Sequence, residues 1–190
     1  VIQKSKKPII YLGQGCKDSV LKLRSFAIAN NIPVTSTIHG KGIFDDHHPL
    51  SLEWCGMHGS PAANIALQEA DCIIGIGARF DDRTTGLVDK YAPNAKKEKK
   101  IIHVDIDNTM FNKTIESNYH VNMDSKDFIN SIYEGLDSDI SSVEWQDRLD
   151  ELRIDHKFKY RTPKNGKINT CYNALVHESI FYTFYLFIKH

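Results

Sequence analysis

Arg79, Asp81, Asp82 and Arg83 place two guanidinium groups and two carboxylates inside the run Gly77-Ala78-Arg79-Phe80-Asp81-Asp82-Arg83-Thr84-Thr85-Gly86. Arginine forks bind carboxylates and phosphates in bidentate fashion. The run therefore suits an anionic ligand or an internal salt-bridge knot. Its position favours the ligand. It follows Cys72-Ile73-Ile74-Gly75-Ile76, an apolar segment that reads as a buried parallel strand, and open α/β sheets bind ligands at the carboxyl ends of such strands.

Other strand ends carry candidates of the same kind. Gly13-Gln14-Gly15 follows the apolar stretch Pro8–Leu12 and supplies two of the three glycines of a dinucleotide turn, with Asp18 in the third place. A phosphate cradle and a tight turn without a ligand are equally open there. Thr37-Ile38 offers a hydroxyl and backbone groups at the end of Ile32–Thr37, though taken alone it reads first as a plain strand terminus. Asp105 follows His103-Val104 and could accept ribose hydroxyls or cap a turn through Asp107-Asn108. In Gly56-Met57-His58-Gly59 the flanking glycines allow close backbone approach, and a thioether and an imidazole can pack on a flat ring. A satisfied loop histidine is the bland alternative. The 9 histidines include adjacent His47-His48 but no ligand spacing; Cys171 and His177 lack a second pair, so no metal site is expected.

The elements that must position these groups alternate. Strands are expected at Pro8–Leu12, Ile32–Thr37, Cys72–Ile76, Ile101–Val104 and around His120–Asn122. A helix capped by Asp18-Ser19 carries Val20, Leu23, Phe26 and Ala27 on one face and closes at Asn30-Asn31. Another runs from Pro61 to Glu69, with proline in its first turn. A loop rich in His, Asp and Pro precedes it. Asp124 caps a helix bearing Phe128, Ile129, Ile132 and Tyr133. Strands separated by helices imply parallel pairing. The expected fold is α/β, a doubly wound, Rossmann-like parallel sheet with helices on both faces and a poorly packed C-terminal tail. In that tail Val143–Tyr160 reads as an exposed helix with Leu149 and Leu152 on one side, and the aromatic run Phe181–Phe187 has no evident packing partner.

Composition narrows the function classes. The 24 basic and 24 acidic residues give a formal net charge of zero, which argues against nucleic-acid binding. Lys96-Lys97-Glu98-Lys99-Lys100 reads as a solvated loop before a strand. Cys16, Cys55, Cys72 and Cys171 form no C-x-x-C pair and suggest reduced thiols in an intracellular protein. The apolar run Ile180–Ile188 falls short of the ~20 residues of a spanning helix, so no membrane association is expected. The chain opens on Val1 and reads as a piece of a longer, soluble protein.

Taken together, Leu12-Gly13-Gln14-Gly15-Cys16, Ile32–Thr37, Gly56-Met57-His58-Gly59, Gly77–Arg83 and His103-Val104-Asp105-Ile106-Asp107 resemble the central domain of acetolactate synthases, also called acetohydroxyacid synthases. The resemblance covers residues 1–135 as a central, FAD-binding domain and leaves 136–190 as a linker and helical tail. It implies a three-domain enzyme that joins two 2-oxo acids with loss of carbon dioxide in branched-chain amino-acid (isoleucine and valine) biosynthesis. Thiamine diphosphate and Mg2+ belong to the first and third domains, and FAD lies extended on the middle one without serving the main reaction as a redox partner. Carried over, the flavin contacts are Gln14, Thr37, Ile38, Cys55, Gly56, Met57, His58, Gly77, Ala78, Arg79, Phe80, Asp81, Asp105, Ile106, Asp124 and Ser125. Arg83 matches an arginine facing the substrate channel, where it would meet carboxylates. No catalytic residue and no metal ligand is carried over.

Departures from the family are Gln14 in place of a middle glycine, Trp54-Cys55 in place of Met-Leu, Met123 before Asp124 in place of glycine, and a short insertion at Asn94–Lys100. The resemblance further implies a homodimer or higher oligomer with a regulatory subunit. It also implies a cytoplasmic location in bacteria and a mitochondrial or plastid one in eukaryotes. With no thiamine-diphosphate domain recognisable, the chain alone is expected to be inactive. An NAD-binding oxidoreductase domain and a truncated homologue acting as an interaction module stay open as alternatives.

Overall fold

The computed structural model describes residues 1–133 and 140–156. The expectations for Phe181–Phe187, Ile180–Ile188, Cys171 and His177 lie outside the described residues. Six parallel strands form one sheet: β1 (Pro8–Leu12), β2 (Val34–Ser36), β3 (Ser51–Trp54), β4 (Cys72–Ile76), β5 (Ile101–Asp105) and β6 (Tyr119–Asn122), in the order β3-β2-β1-β4-β5-β6. The chain winds outward from β1 through β2 to β3, returns to lay β4 beside β1, and winds outward again. The doubly wound reading holds, and the switch point lies between β1 and β4.

Alternation along the central strands divides the core in two, because successive side chains leave a strand on opposite faces. Ile10, Leu12, Ile74, Ile76, Ile102 and Val104 point to one face, covered by α1 (Val20–Ala29). Ile9, Tyr11, Ile73 and Ile101 point to the other, covered by α2 (Pro61–Glu69). Between β4 and β5 come a four-residue helical turn, α3 (Asp82–Thr85), and α4 (Pro93–Lys97). The first face is completed by α5 (Ser125–Tyr133), and the second by α6 (Val143–Asp155).

Four expectations are corrected. Strand β3 lies within the stretch read as loop. Its pairing with β2 is irregular and Glu53 adopts φ 62°; with only four residues, Ser-Leu-Glu-Trp, its alternation is too brief to mark a strand. Part of the basic stretch is helical, not a solvated loop: Pro93 opens α4 after Ala92 in left-handed geometry, φ 47°, and Lys96 Nζ donates to the Val88 carbonyl. Ser19 stands at the start of α1 without capping it; its hydroxyl turns to the Cys16 carbonyl and to Ser125 Oγ.

The fourth concerns α6. The expected helix is present over Val143–Asp155, its expected extension to Tyr160 lying outside the described residues, but its Leu149–Leu152 side is not exposed: Trp145, Leu149 and Leu152 are buried among the residues of the α2 face. These positions fall at i, i+4 and i+7, one helical stripe. Trp145 Nε1 donates to the Pro8 carbonyl at 3.1 Å, tying α6 to the first strand. Arg148 holds Glu69 of α2 through two bonds of 2.8 and 3.0 Å. That hydrogen-bonded guanidinium holds the Glu69 carboxyl below its usual range.

Trp145→Ala should therefore cost ~3–5 kcal/mol, as for other large-to-small core substitutions. Urea denaturation checks it. A change within ~0.5 kcal/mol, the range of surface positions, would return α6 to the exposed helix read from sequence.

Candidate functional site

The carboxyl ends of β1 to β5 open into one cleft of about 910 Å3, near the top of the ~300–1,000 Å3 range of small-molecule sites. Of the residues singled out in the sequence, Gln14, Thr37, Ile38, Cys55, Met57, His58, Gly77, Ala78, Arg79, Asp81, Arg83 and Asp105 line it. Gly56, Phe80, Ile106, Asp124 and Ser125 are not among the lining residues.

At its floor two strand ends meet backbone to backbone. Gly15 N–H donates to the Gly77 carbonyl at 3.1 Å, and Gly13 N–H to the Ile76 carbonyl at 2.9 Å. A Cβ on Gly13 would stand 1.9 Å from the Gly77 oxygen, and one on Gly15 2.8 Å from the Gly77 Cα. Gly77 itself sits at φ 56°, where side chains are strained. Of the two readings left open for Gly13-Gln14-Gly15, this geometry supports the tight turn. The Gly15 amide is committed to Gly77, so it is not free to cradle a phosphate.

Phe80 sets the pose of the charged run. It is buried at φ 51°, unusual for a bulky residue. Its ring folds under the sheet into the space that Gly75 leaves, where a Cβ would lie 2.4 Å from Phe80 Cζ. There it meets Tyr11 and His103, each with ring centroids 5.0 Å away. With Phe80 drawn inward, its neighbours Arg79 and Asp81 remain at the cleft. Asp81 then caps α3, its Oδ1 accepting from Thr84 N at 3.1 Å and Thr84 Oγ1 at 3.2 Å.

The salt-bridge knot does not form. Among the described residues no ion pair joins Arg79 or Arg83 to a carboxylate. Both guanidiniums are exposed and line the cleft.

The opposite wall is the turn after β3. Asn64, in α2, accepts from Gly56 N–H at 2.8 Å and donates to its carbonyl at 2.9 Å. Met57 N–H donates to the Arg83 carbonyl at 2.9 Å, so this turn leans on α3. A Cβ on Gly56 would come 2.9 Å from that same carbonyl oxygen. Met57 is left 67% exposed and Ile38 63% exposed, both at the cleft. Thr37 Oγ1 accepts from Gly40 N–H, forming the turn that presents Ile38.

The residues outside the lining have structural partners. Ser125 Oγ donates to the Gly15 carbonyl at 2.8 Å, pinning α5 under the glycine turn. Asp124 caps α5 by accepting from Lys126 N–H at 2.8 Å. Lys17, His39, Asp107 and Met110 line the cleft without having been singled out as site residues. Lys17 and His39 stand next to marked turns and were within reach. Met110 enters from a turn after β5 (Asn108–Met110) that nothing in the local sequence advertises.

Titration behaviour follows burial. Cys16 and Cys55 are pushed up to about 12, both mainly by burial, so neither is a thiolate nucleophile at neutral pH. His103 is buried between Phe80 and Phe111, and burial lowers its pKa against the upward pull of Asp105.

Comparison with known proteins places these features in a family. Residues 1–132 match the model of the thiamine pyrophosphate enzyme, central domain. The chain is 36% identical over 165 residues to the acetolactate synthase isozyme 2 large subunit of Escherichia coli, covering 86% of this chain and 29% of that protein. It is 37% identical over 187 residues to the chloroplastic acetolactate synthase 1 of Zea mays, covering 95% and 28%. Against the mitochondrial acetolactate synthase catalytic subunit of Saccharomyces cerevisiae it is 33% identical over 174 residues, covering 87% and 25%. The chain thus spans between a quarter and three-tenths of these relatives.

Gly13→Ala must force the Gly77 backbone aside and should cost at least the ~1–3 kcal/mol of an overpacked site; an unchanged urea midpoint would contradict the contact. His103 gives a second expectation. Its folded pKa lies below the ordinary 6.5, so the unfolded chain binds the extra proton first. Its contribution to stability is complete above 6.5 and declines as pH falls through the folded pKa. Urea midpoints measured across that window should show the decline, and His103→Gln should reduce it.

Proposed function

Because the chain belongs to the thiamine pyrophosphate enzyme central-domain family, we propose that it forms the FAD-binding middle domain of an acetolactate synthase catalytic subunit. The observation that carries this reading is the cleft at the switch point. It combines unpaired guanidiniums at Arg79 and Arg83, a carboxylate at Asp105 and exposed apolar groups at Ile38 and Met57.

That set suits an extended flavin dinucleotide. Asp105 would hold ribose hydroxyls, Arg79 the diphosphate, and Ile38 and Met57 the flat ring. Gln14, Thr37, Cys55, His58, Gly77, Ala78 and Asp81 would complete the pocket. Gly56, Phe80 and Ser125 would support it from behind, while Ile106 and Asp124 would act at its edge. The flavin brings a redox-capable ring, which the proposed carboligation does not use. Arg83 would face the carboxylate of a 2-oxo acid in the assembled enzyme.

The condensation itself, with loss of carbon dioxide, belongs in this proposal to thiamine diphosphate and Mg2+ held by other domains. So do the homodimer or higher oligomer and the regulatory subunit. Relatives named as bacterial, chloroplastic and mitochondrial enzymes support an intracellular setting. Among the described residues no helix is long and apolar enough to cross a membrane.

Purified chain should take up FAD, appear yellow, and release the flavin on denaturation. Arg79→Ala should weaken FAD binding by ~10- to 100-fold, the weight of one charge-assisted contact. A colourless chain that retains NAD instead would favour the oxidoreductase alternative; one that binds neither, the interaction module. Supplied with pyruvate, thiamine diphosphate, Mg2+ and FAD, the isolated chain should form no acetolactate. Its appearance in that assay would overturn the assignment of the chemistry to other domains.

A further inference from the structure

His103 is a buried polar group with unfinished business. Its residue exposure is 1%, and its Nε2 has no hydrogen-bond partner. The nearest anionic group is Asp105 Oδ2, 4.0 Å away, too far for a hydrogen bond. The ring is held edge-to-face by Phe80 at 5.0 Å and Phe111 at 5.1 Å. Phe80 in turn is seated in the Gly75 gap. The imidazole is therefore clamped, whereas Asp105 stands at the open end of its strand and lines the cleft.

We propose that His103 is a positioning residue that makes ligand binding in the cleft depend on pH. When neutral, it leaves Asp105 Oδ2 to a ligand hydroxyl. When protonated, it draws that oxygen inward for a charge-assisted bond.

Asp105 Oδ1 already accepts from Asp107 N–H at 2.9 Å, so Oδ2 is the oxygen to be shared. From β4 the imidazole meets Gly75, and from the charged loop it meets Phe80 and the Ala78 backbone, whose hydrogen bond favours the protonated ring; none of these titrates. The segment after β5 presents Phe111. From β6 it faces His120, the other titratable group, whose charge opposes a second one on His103. His120 Nε2 lies 3.1 Å from both Asn112 Oδ1 and the Ser117 carbonyl, so it is the donor and is held at the edge of the sheet. An approach of about 1 Å would bring Asp105 Oδ2 to the ~2.7–2.9 Å of an ionic N–H···O bond.

The test titrates FAD into the full 190-residue chain between about pH 8 and about pH 5, the full span over which imidazoles change charge, since burial lowers the pKa of His103. Affinity should fall by roughly fivefold or more toward the acid end, the weight of one polar contact. In His103→Gln the fall should vanish. In parallel, a carbon-13 titration follows the Asp105 carboxyl carbon, which should inflect together with the His103 ring protons in the unsubstituted chain.

The inference rests on the nucleotide reading of the cleft, and the two fail differently. A chain that takes up no FAD at any pH removes that reading and, with it, the pH-dependent binding; the carbon-13 titration then decides whether His103 governs Asp105. An equal pH slope in His103→Gln, or an Asp105 signal indifferent to His103, overturns the proposal.

Discussion

The rest of the site depends on the backbone contact between the first and fourth strands at their carboxyl ends. Three residues without side chains, Gly13, Gly15 and Gly77, let two chain segments touch where a Cβ on Gly13 would lie 1.9 Å from a carbonyl oxygen. That approach lets the Gly15 amide reach the Gly77 carbonyl and turns the chain at φ 56°. The charged run then leaves the sheet at the crevice where the winding direction reverses. Ser125 reinforces the same point from the other face by bonding the Gly15 carbonyl. The glycines here work by packing protein against protein, and the ligand-facing groups are left to the loops that this packing aims.

The charged run divides its labour along its length. Phe80 is spent on anchorage and Asp81 on capping α3. Four charges that look equivalent in one dimension become two exposed cations, one cap and one exposed carboxylate at Asp82. The cleft is unequal as well. Its floor is a close-packed glycine turn, and its sides carry Ile38 and Met57 in the open. Such a site favours a ligand with a polar, anionic part and a flat apolar part.

Much of this was legible before the fold was known, for identifiable reasons. Cys72–Ile76 is buried on both faces, so its apolar run announces a central strand. Pro61 at the first turn of α2 marks its start to the residue. Strand ends could be grouped into one site because parallel sheets place them along one edge. What escaped depends on distant partners. Trp145, Leu149 and Leu152 show a stripe, but the surface that buries them belongs to α2 and β1, and the charged face of α6 suggests exposure. Ser51–Trp54 alternates for only four residues, too few to stand out from the polar loop before it. Whether Gly13-Gln14-Gly15 cradles a ligand or a neighbouring strand could not be read without Gly77 beside it.

The bond from Trp145 to Pro8 spans a sequence separation of 137 residues, and this gives the fold a timetable. A ribosome adding ~5–20 residues per second needs on the order of ten seconds to travel from one partner to the other. By the end of that interval the neighbours of the first strand, β2 and β4, and the helix α2 that covers one of its sides are already made. Among the described residues the α2 side is thus the later of the two to be completed, and the stripe of α6 is what completes it.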